Sequence, residues 1–361
     1  MTRAPLAELL HRIHTAGGFV NAHSHLDRAW TVTTEDLKTR VYAPLREKWE
    51  LIDAVKRASS EENYFNRMQY ALSLQQKMGT KACLTFVDCD AVAEERALKA
   101  AQKLRDISES EMGITLRLAV QTLKGVCTPE ARTWFERAVP NVDVIGGLPG
   151  ADRGREEEHL DILLSTAKST NKRVHVHVDQ NNSPTETETE LLAKKTIQWG
   201  MEGKVSAVHG ISLAAHPMEY RRKVYALCKD AALSFVACPS AWIDARRNEI
   251  LTPTHNAVTP IDELVEFGIP VAIGSDNIAD LYKPFVDGNM ETELRILLES
   301  THFYNIDELT KVATLHGRFA LGLKSDNLVA PQNATQSNTQ GAAHNSSHST
   351  AHDAQGSFRN V

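Results

Sequence analysis

No cluster of Lys and Arg interrupts the chain, and its balance is acidic, with 40 basic side chains against 46 acidic ones and a formal net charge of −6. A protein that holds nucleic acid by neutralising phosphates needs a basic face, so no nucleic-acid partner is expected. Runs of ~18 consecutive apolar residues, the length a membrane-spanning helix requires, are also missing. Residues 1–18, MTRAPLAELLHRIHTAGG, are amphipathic and lack the continuous apolar stretch and small-residue cleavage site of a secretion signal. Cysteine is scarce and odd in number: Cys83, Cys89, Cys127, Cys228 and Cys238. Cys83, Cys89 and Cys238 sit inside apolar runs and read as reduced, buried thiols, not as a disulfide framework. Together these absences predict a cytoplasmic protein without a membrane partner.

The 361 residues instead show alternation. Short apolar runs at 18–25, 81–90, 114–123, 142–150, 173–180, 205–212, 233–240 and 270–276 are separated by amphipathic, helix-like stretches. Strands alternating with helices predict a parallel sheet, and this number of strands closes into a (β/α)8 TIM barrel. About 55 residues separate the first two runs, which predicts an elaborated first loop, a candidate lid, followed by a long helix. No internal repeat is visible. The barrel is expected over 1–323. Residues 324–361 are rich in Ser, Asn, Gln, Gly and Ala, and form a low-complexity tail expected to be disordered. Within it His344, His348 and His352 recur every fourth residue; in that composition they read as part of a solvated tail.

In such a barrel, chemistry belongs at the C-terminal ends of the strands. His23 and His25 end the first run, His175, His177 and Asp179 the fifth, His209 the sixth and Asp276 the eighth. Residues two apart on a strand share a face. In RVHVHVDQ the valines therefore face the helices, while His175, His177 and Asp179 face the axis. Chance alone supplies roughly 0.6 His-x-His matches at this histidine content, so neither pair carries weight by itself. The conjunction does: imidazoles and a carboxylate above apolar strands, with a position left for water, describe a catalytic zinc or iron site.

These residues resemble the amidohydrolase superfamily, and its cytosine deaminase branch most closely. The likeness rests on HSHLDRAW after the first strand, HVDQ, the AVHG segment and GIPVAIGSDN, and covers most of residues 18–320. It implies His23, His25, His177 and Asp276 as metal ligands and His209 as the group that hydrogen-bonds the attacking water or the oxyanion. His175, one pleat deeper, is expected to be core or to support a ligand. The cofactor expected is one divalent ion, zinc first, with iron or manganese as alternatives. Dinuclear relatives carry a bridging Lys or Glu at the end of strand 4; IGGLPGADR offers neither there.

The chain also departs from the family. The glutamate that shuttles protons is replaced by Gln180, which cannot exchange a proton near neutral pH. The carboxylate following the metal aspartate is replaced by Asn277. The flanking β-sandwich is reduced or absent. Asp276 is then the expected base, with Gln180 orienting substrate or water and Asp179 a weaker candidate donor. Gln121, Asp88, Trp242 and Asn277 are candidate substrate contacts, with Lys124, Asp90, Asp244, Arg246 and Asp280 also near the mouth. Asp88 equally suits a cap or loop anchor, Trp242 equally suits packing, and His316 belongs to a structural helix.

The function expected is hydrolysis of a non-peptide C–N bond in a cyclic or heteroaromatic small molecule. A metal-binding barrel without catalysis and a lactonase or esterase are the alternatives. The partner is a small-molecule substrate, and a homo-oligomer is compatible with the sequence.

Overall fold

The computed structural model describes residues 4–243 and 257–323. Asp244, Arg246 and the tail histidines His344, His348 and His352 lie outside the described residues, as does the tail itself.

Eight strands form at the eight apolar runs: β1 (Phe19–Ser24), β2 (Thr80–Asp88), β3 (Thr115–Gln121), β4 (Val144–Gly147), β5 (Arg173–Val178), β6 (Val205–His209), β7 (Ser234–Ala237) and β8 (Val271–Ile273). Each pairs in parallel with the next in sequence. Their near-continuous burial is what a parallel sheet covered on both faces requires. The cylinder closes through a parallel bridge between Ser24 and Asp276. There the Asp276 N–H donates to the His23 carbonyl at 3.0 Å, and the His25 N–H donates to the Asp276 carbonyl at 3.2 Å. The fold is therefore the (β/α)8 barrel expected.

Period-two alternation sorts the side chains. Val174, Val176 and Val178 pack outward with Leu160, Leu163 and Leu164. Val20, Leu84, Phe86, Val208 and Val236 fill the interior, and Ala320 and Leu321, at the end of the last helix, join them from below. All five cysteines are free and buried. No helix among the described residues is long and apolar enough to cross a membrane.

The long first connection differs from the single helix expected. It holds two, Leu45–Ala58 and Glu61–Lys77. The break falls at Ser59 and Ser60. The Ser60 hydroxyl accepts the Asn63 N–H at 3.1 Å, and the Asn63 side chain accepts the Ser60 N–H at 3.0 Å, a reciprocal cap that starts a new helix.

At the seam the backbones approach so closely that only glycine fits at 274. A Cβ there would meet three atoms of His23 at 2.8–2.9 Å, two of them main-chain. Gly274→Ala is expected to destabilise the fold by about 1–3 kcal/mol, because neither strand can move without opening the barrel. A urea midpoint equal to that of the parent would contradict this reading of the seam.

Candidate active site

Above the apolar interior, β1, β5, β6 and the turn after β8 aim polar groups at one point. One ligand atom each from His23, His25 and His177 lie within 4.8 Å of one another, and so do those from His23, His209 and Asp276. Asp276 Oδ1 is 3.4 Å from His23 Nε2 and 3.2 Å from His25 Nε2. The His23 and His177 rings are 4.7 Å apart, and His177 and His209 5.5 Å. All five side chains are buried.

The backbone is strained where these groups are aimed. His209 has φ 74°, Asp276 φ 57° and Asp179 φ 51°, left-handed values that non-glycine residues hold only when their surroundings enforce them. At His209 the enforcement is visible: the Trp242 indole donates to Thr259 Oγ1 at 3.0 Å, and that hydroxyl donates to the His209 carbonyl at 2.6 Å. Trp242 is thus a packed support and does not line the cleft.

Protonation is set by burial and neighbours. Burial, with Arg28 adding to it, pushes the His25 imidazolium well below its usual range. Burial and the surrounding imidazoles do the same to His177. Both rings are neutral, with lone pairs to offer. His177 Nδ1 lies 3.0 Å from the Gly147 carbonyl, which can only accept, so the proton sits on Nδ1 and Nε2 carries the lone pair. Burial opposes the Asp276 carboxylate, but the close approach of His23 and His25 outweighs that and holds it well below the usual carboxylate range.

This donor set fits a divalent ion. His23 is fully buried, and neither ring nitrogen has a hydrogen-bond partner. Such an orphaned imidazole is costly unless something else satisfies it. Three imidazoles and a carboxylate form a zinc- or iron-type ligand set. A second cluster, Cys127, Asp152 and His159, does not match it. His159 Nδ1 bonds Asp152 at 2.7 Å and its Nε2 accepts the Leu148 N–H at 3.1 Å, so both nitrogens are spent on structure.

Gln121, Gln180 and Asn277 line the cleft. His175 bonds the Ala320 carbonyl through Nε2 at 2.9 Å and is a core residue. Asp179 is a correction. It does not face the axis: β5 ends at Val178, the positive φ turns Asp179 outward, and its oxygens accept the N–H groups of Glu188 (2.8 Å) and Thr189 (3.1 Å). Fully engaged as a cap, it is not a donor to substrate. Asp88 and Asp90 also leave the cleft, holding the buried Lys56 ammonium at 3.0 and 2.6 Å. Lys124 pairs with Asp53 at 2.8 Å, and Asp280 caps the turn at Tyr282 and Lys283. His316 bonds the Val271 carbonyl at 3.0 Å.

Sequence reasoning missed Arg28. It is buried in the turn after β1, lines the cleft, and its Nε lies 3.1 Å from Asn277 Oδ1 and 3.3 Å from Asp280 Oδ2. Its Nη1 has no hydrogen-bond partner. Leu45, Trp49 and Tyr282 on the cleft were missed as well. The only signal for Arg28 was its place within HSHLDRAW.

Residues 142–325 match the Amidohydrolase family. The chain is 48% identical over 252 residues to an uncharacterized protein of Haemophilus influenzae, covering 69% of this chain and 91% of that protein. It is 28% identical over 325 residues to the N-isopropylammelide isopropyl amidohydrolase of Pseudomonas sp. (strain ADP), covering 86% and 75%. Its fold matches that of 5-methylcytosine deaminase from Klebsiella pneumoniae, with a TM-score of 0.78 at 24% identity over 84% and 74% of the two chains. The chain belongs to the amidohydrolase family, and is a hydrolase of carbon–nitrogen bonds other than peptide bonds.

One carboxyl at the rim gives a pH-dependent stability. Burial, with the charges of Asp179 and Glu186 adding to it, pushes Glu188 up to about 8, despite the N–H bond from Asp179. Between the unfolded value of about 4.5 and about 8, the folded state holds the extra proton, so stability falls as pH rises through that window. Glu188→Gln keeps an acceptor for Asp179 and removes the ionisation. Its melting temperature should exceed that of the parent at pH 9 and equal it near pH 4; equal values at both would refute the assignment.

Proposed function

We propose that the protein is a metal-dependent hydrolase that cleaves a C–N bond of a heteroaromatic or cyclic small molecule. The observation that carries this is the convergence of His23, His25, His177, His209 and Asp276 on one point at the mouth of the barrel, beside the Arg28–Asn277 pair. His23, His25, His177 and Asp276 would hold one divalent ion, zinc first, with iron or manganese as alternatives. Bound there, such an ion lowers the pKa of water from ~15.7 towards ~7 and withdraws electron density from the carbon under attack.

The chain's own groups do the rest. Asp276 accepts the proton of the attacking water as the oxygen–carbon bond forms. His209 hydrogen-bonds the oxygen on which negative charge grows. Gln180 orients the substrate and transfers no proton. Asp276 is the sole carboxyl among the described residues lining this cleft, so the same group returns the proton to the nitrogen as the C–N bond breaks. Arg28 and Asn277 present donors where the family carries an acid beside the metal aspartate. They suit a ring whose edge offers acceptors, such as the dioxo-triazine in the name of the Pseudomonas relative.

Chelation should abolish turnover, and zinc, iron or manganese should restore it. Asp276→Asn should fold and lose at least about 10³-fold in kcat, and His209→Gln about 10²-fold. A folded Asp276→Asn variant at near-parental rate would remove Asp276 as base. Metal uptake without turnover on any heterocycle or amide would indicate a binding protein. Acid release without ammonia or amine would indicate a lactonase.

A further inference from the structure

The cleft is chemically two-sided. On the β8–β1 side stand Arg28, Asp276, Asn277 and Tyr282. β3 and β4 stand across the barrel from that seam, and Leu123 and Leu148 follow their ends. Helix Leu45–Ala58 adds Leu45 and Trp49 to the same side. Ile52, Leu123 and Leu148 form a small apolar cluster separate from the barrel core, with Trp49 packed against it. That cluster reaches close to the reacting groups, because Leu148 follows the glycine whose carbonyl orients His177.

The wall is built before substrate arrives. Lys56 on the same helix is buried between Asp88 and Asp90 at 3.0 and 2.6 Å. Asp53 pairs with Lys124 at 2.8 Å, and Arg46 Nη2 donates to the Gly150 carbonyl at 2.8 Å. These contacts fix the helix over β3 and β4. A planar ring held by its acceptor edge at Arg28 and Asn277, with the carbon under attack and its nitrogen beside Asp276, turns the outer substituent of that nitrogen away from the seam, towards Leu45, Trp49, Leu123 and Leu148.

We propose that these four residues form a subsite for a short aliphatic substituent on the leaving nitrogen, so that the substrate is an N-alkylated heterocycle and the product an alkylamine. The inference rests on the hydrolase reading but is separable from it. Filling an apolar pocket discriminates by about tenfold or more for each small alkyl group. A primary amine leaves the wall facing water.

The test uses the metal-replete protein with N-isopropylammelide and with ammelide, the same ring bearing a free amine. The parent should prefer the alkylated compound by at least about tenfold in kcat/KM. Trp49→Ala should reduce that preference at least about fivefold, chiefly through KM, with metal content unchanged, and Trp49→Phe should retain most of it. Leu45→Ala, at a half-buried position, provides a second reading should Trp49→Ala fold poorly. Cytosine and 5-methylcytosine form the other arm; sensitivity to Trp49→Ala confined to this ring-methylated pair would overturn the assignment to the leaving nitrogen. Calorimetric binding of both triazines separates the two claims. Absence of turnover with a Trp49-dependent preference for the alkylated ring would sink the hydrolase and leave the subsite standing. Equal handling of both triazines by parent and variant would sink the subsite.

Discussion

Everything at the mouth of this barrel depends on one joint, the place where the last strand meets the first. His23 and His25 lie on one side of it and Asp276 on the other, and the peptide hydrogen bonds that close the cylinder run between these same residues. Asn21 reinforces the joint from below. Its Oδ1 accepts the Ser275 N–H at 3.0 Å, while its Nδ2 donates to Ser275 Oγ and Gln75 Oε1, both at 2.8 Å. A left-handed aspartate would relax in an open sheet; here it is held because its own N–H and carbonyl are part of the closure. Closing the fold and aiming the carboxylate are therefore the same event.

The sequence made the architecture legible because its signals are local. Strand position follows from short apolar runs, and the inward direction of His175 and His177 follows from the two-residue repeat while the strand lasts. Asp179 shows where that logic stops. The strand ends one residue earlier, and a single positive φ sends the side chain to the next helix. Arg28 was hidden for a related reason: it lies in a short helical turn after β1, where no periodicity applies. Trp49 was hidden for another. Nothing near it in sequence says that its helix lies over β3 and β4; that placement comes from the contacts of Lys56 with Asp88 and Asp90 and of Asp53 with Lys124, which join residues 32 to 71 apart in the numbering.

Those ion pairs also explain the emptiness of the cleft in acids. Asp88 and Asp90, at and just beyond the end of β2, are positioned where a barrel enzyme often keeps catalytic groups, yet both are turned to Lys56 and buried. Unpairing that ammonium inside the protein would cost several kcal/mol, so these carboxylates are committed to the helix Leu45–Ala58. With Asp179 committed to a helix cap and Gln180 and Asn277 neutral, Asp276 is the one carboxylate left on the cleft among the described residues.

A single carboxylate with weakened proton affinity is a poor base and a good acid, and the consequence is directional. The imidazoles that hold Asp276 in its charged form would make it reluctant to take a proton, and an ion held by those same imidazoles would supply the acidified water that the proposed first transfer needs. Once protonated, the carboxyl gives its proton up readily to any amine nitrogen, whose basicity in the tetrahedral species far exceeds that of a carboxylate. A second acid is then dispensable, provided the leaving nitrogen stays near Asp276 and away from bulk water. An apolar wall of Leu45, Trp49, Leu123 and Leu148 around that nitrogen's substituent meets this requirement. A neutral Gln180 and the apolar wall would then be two parts of one solution.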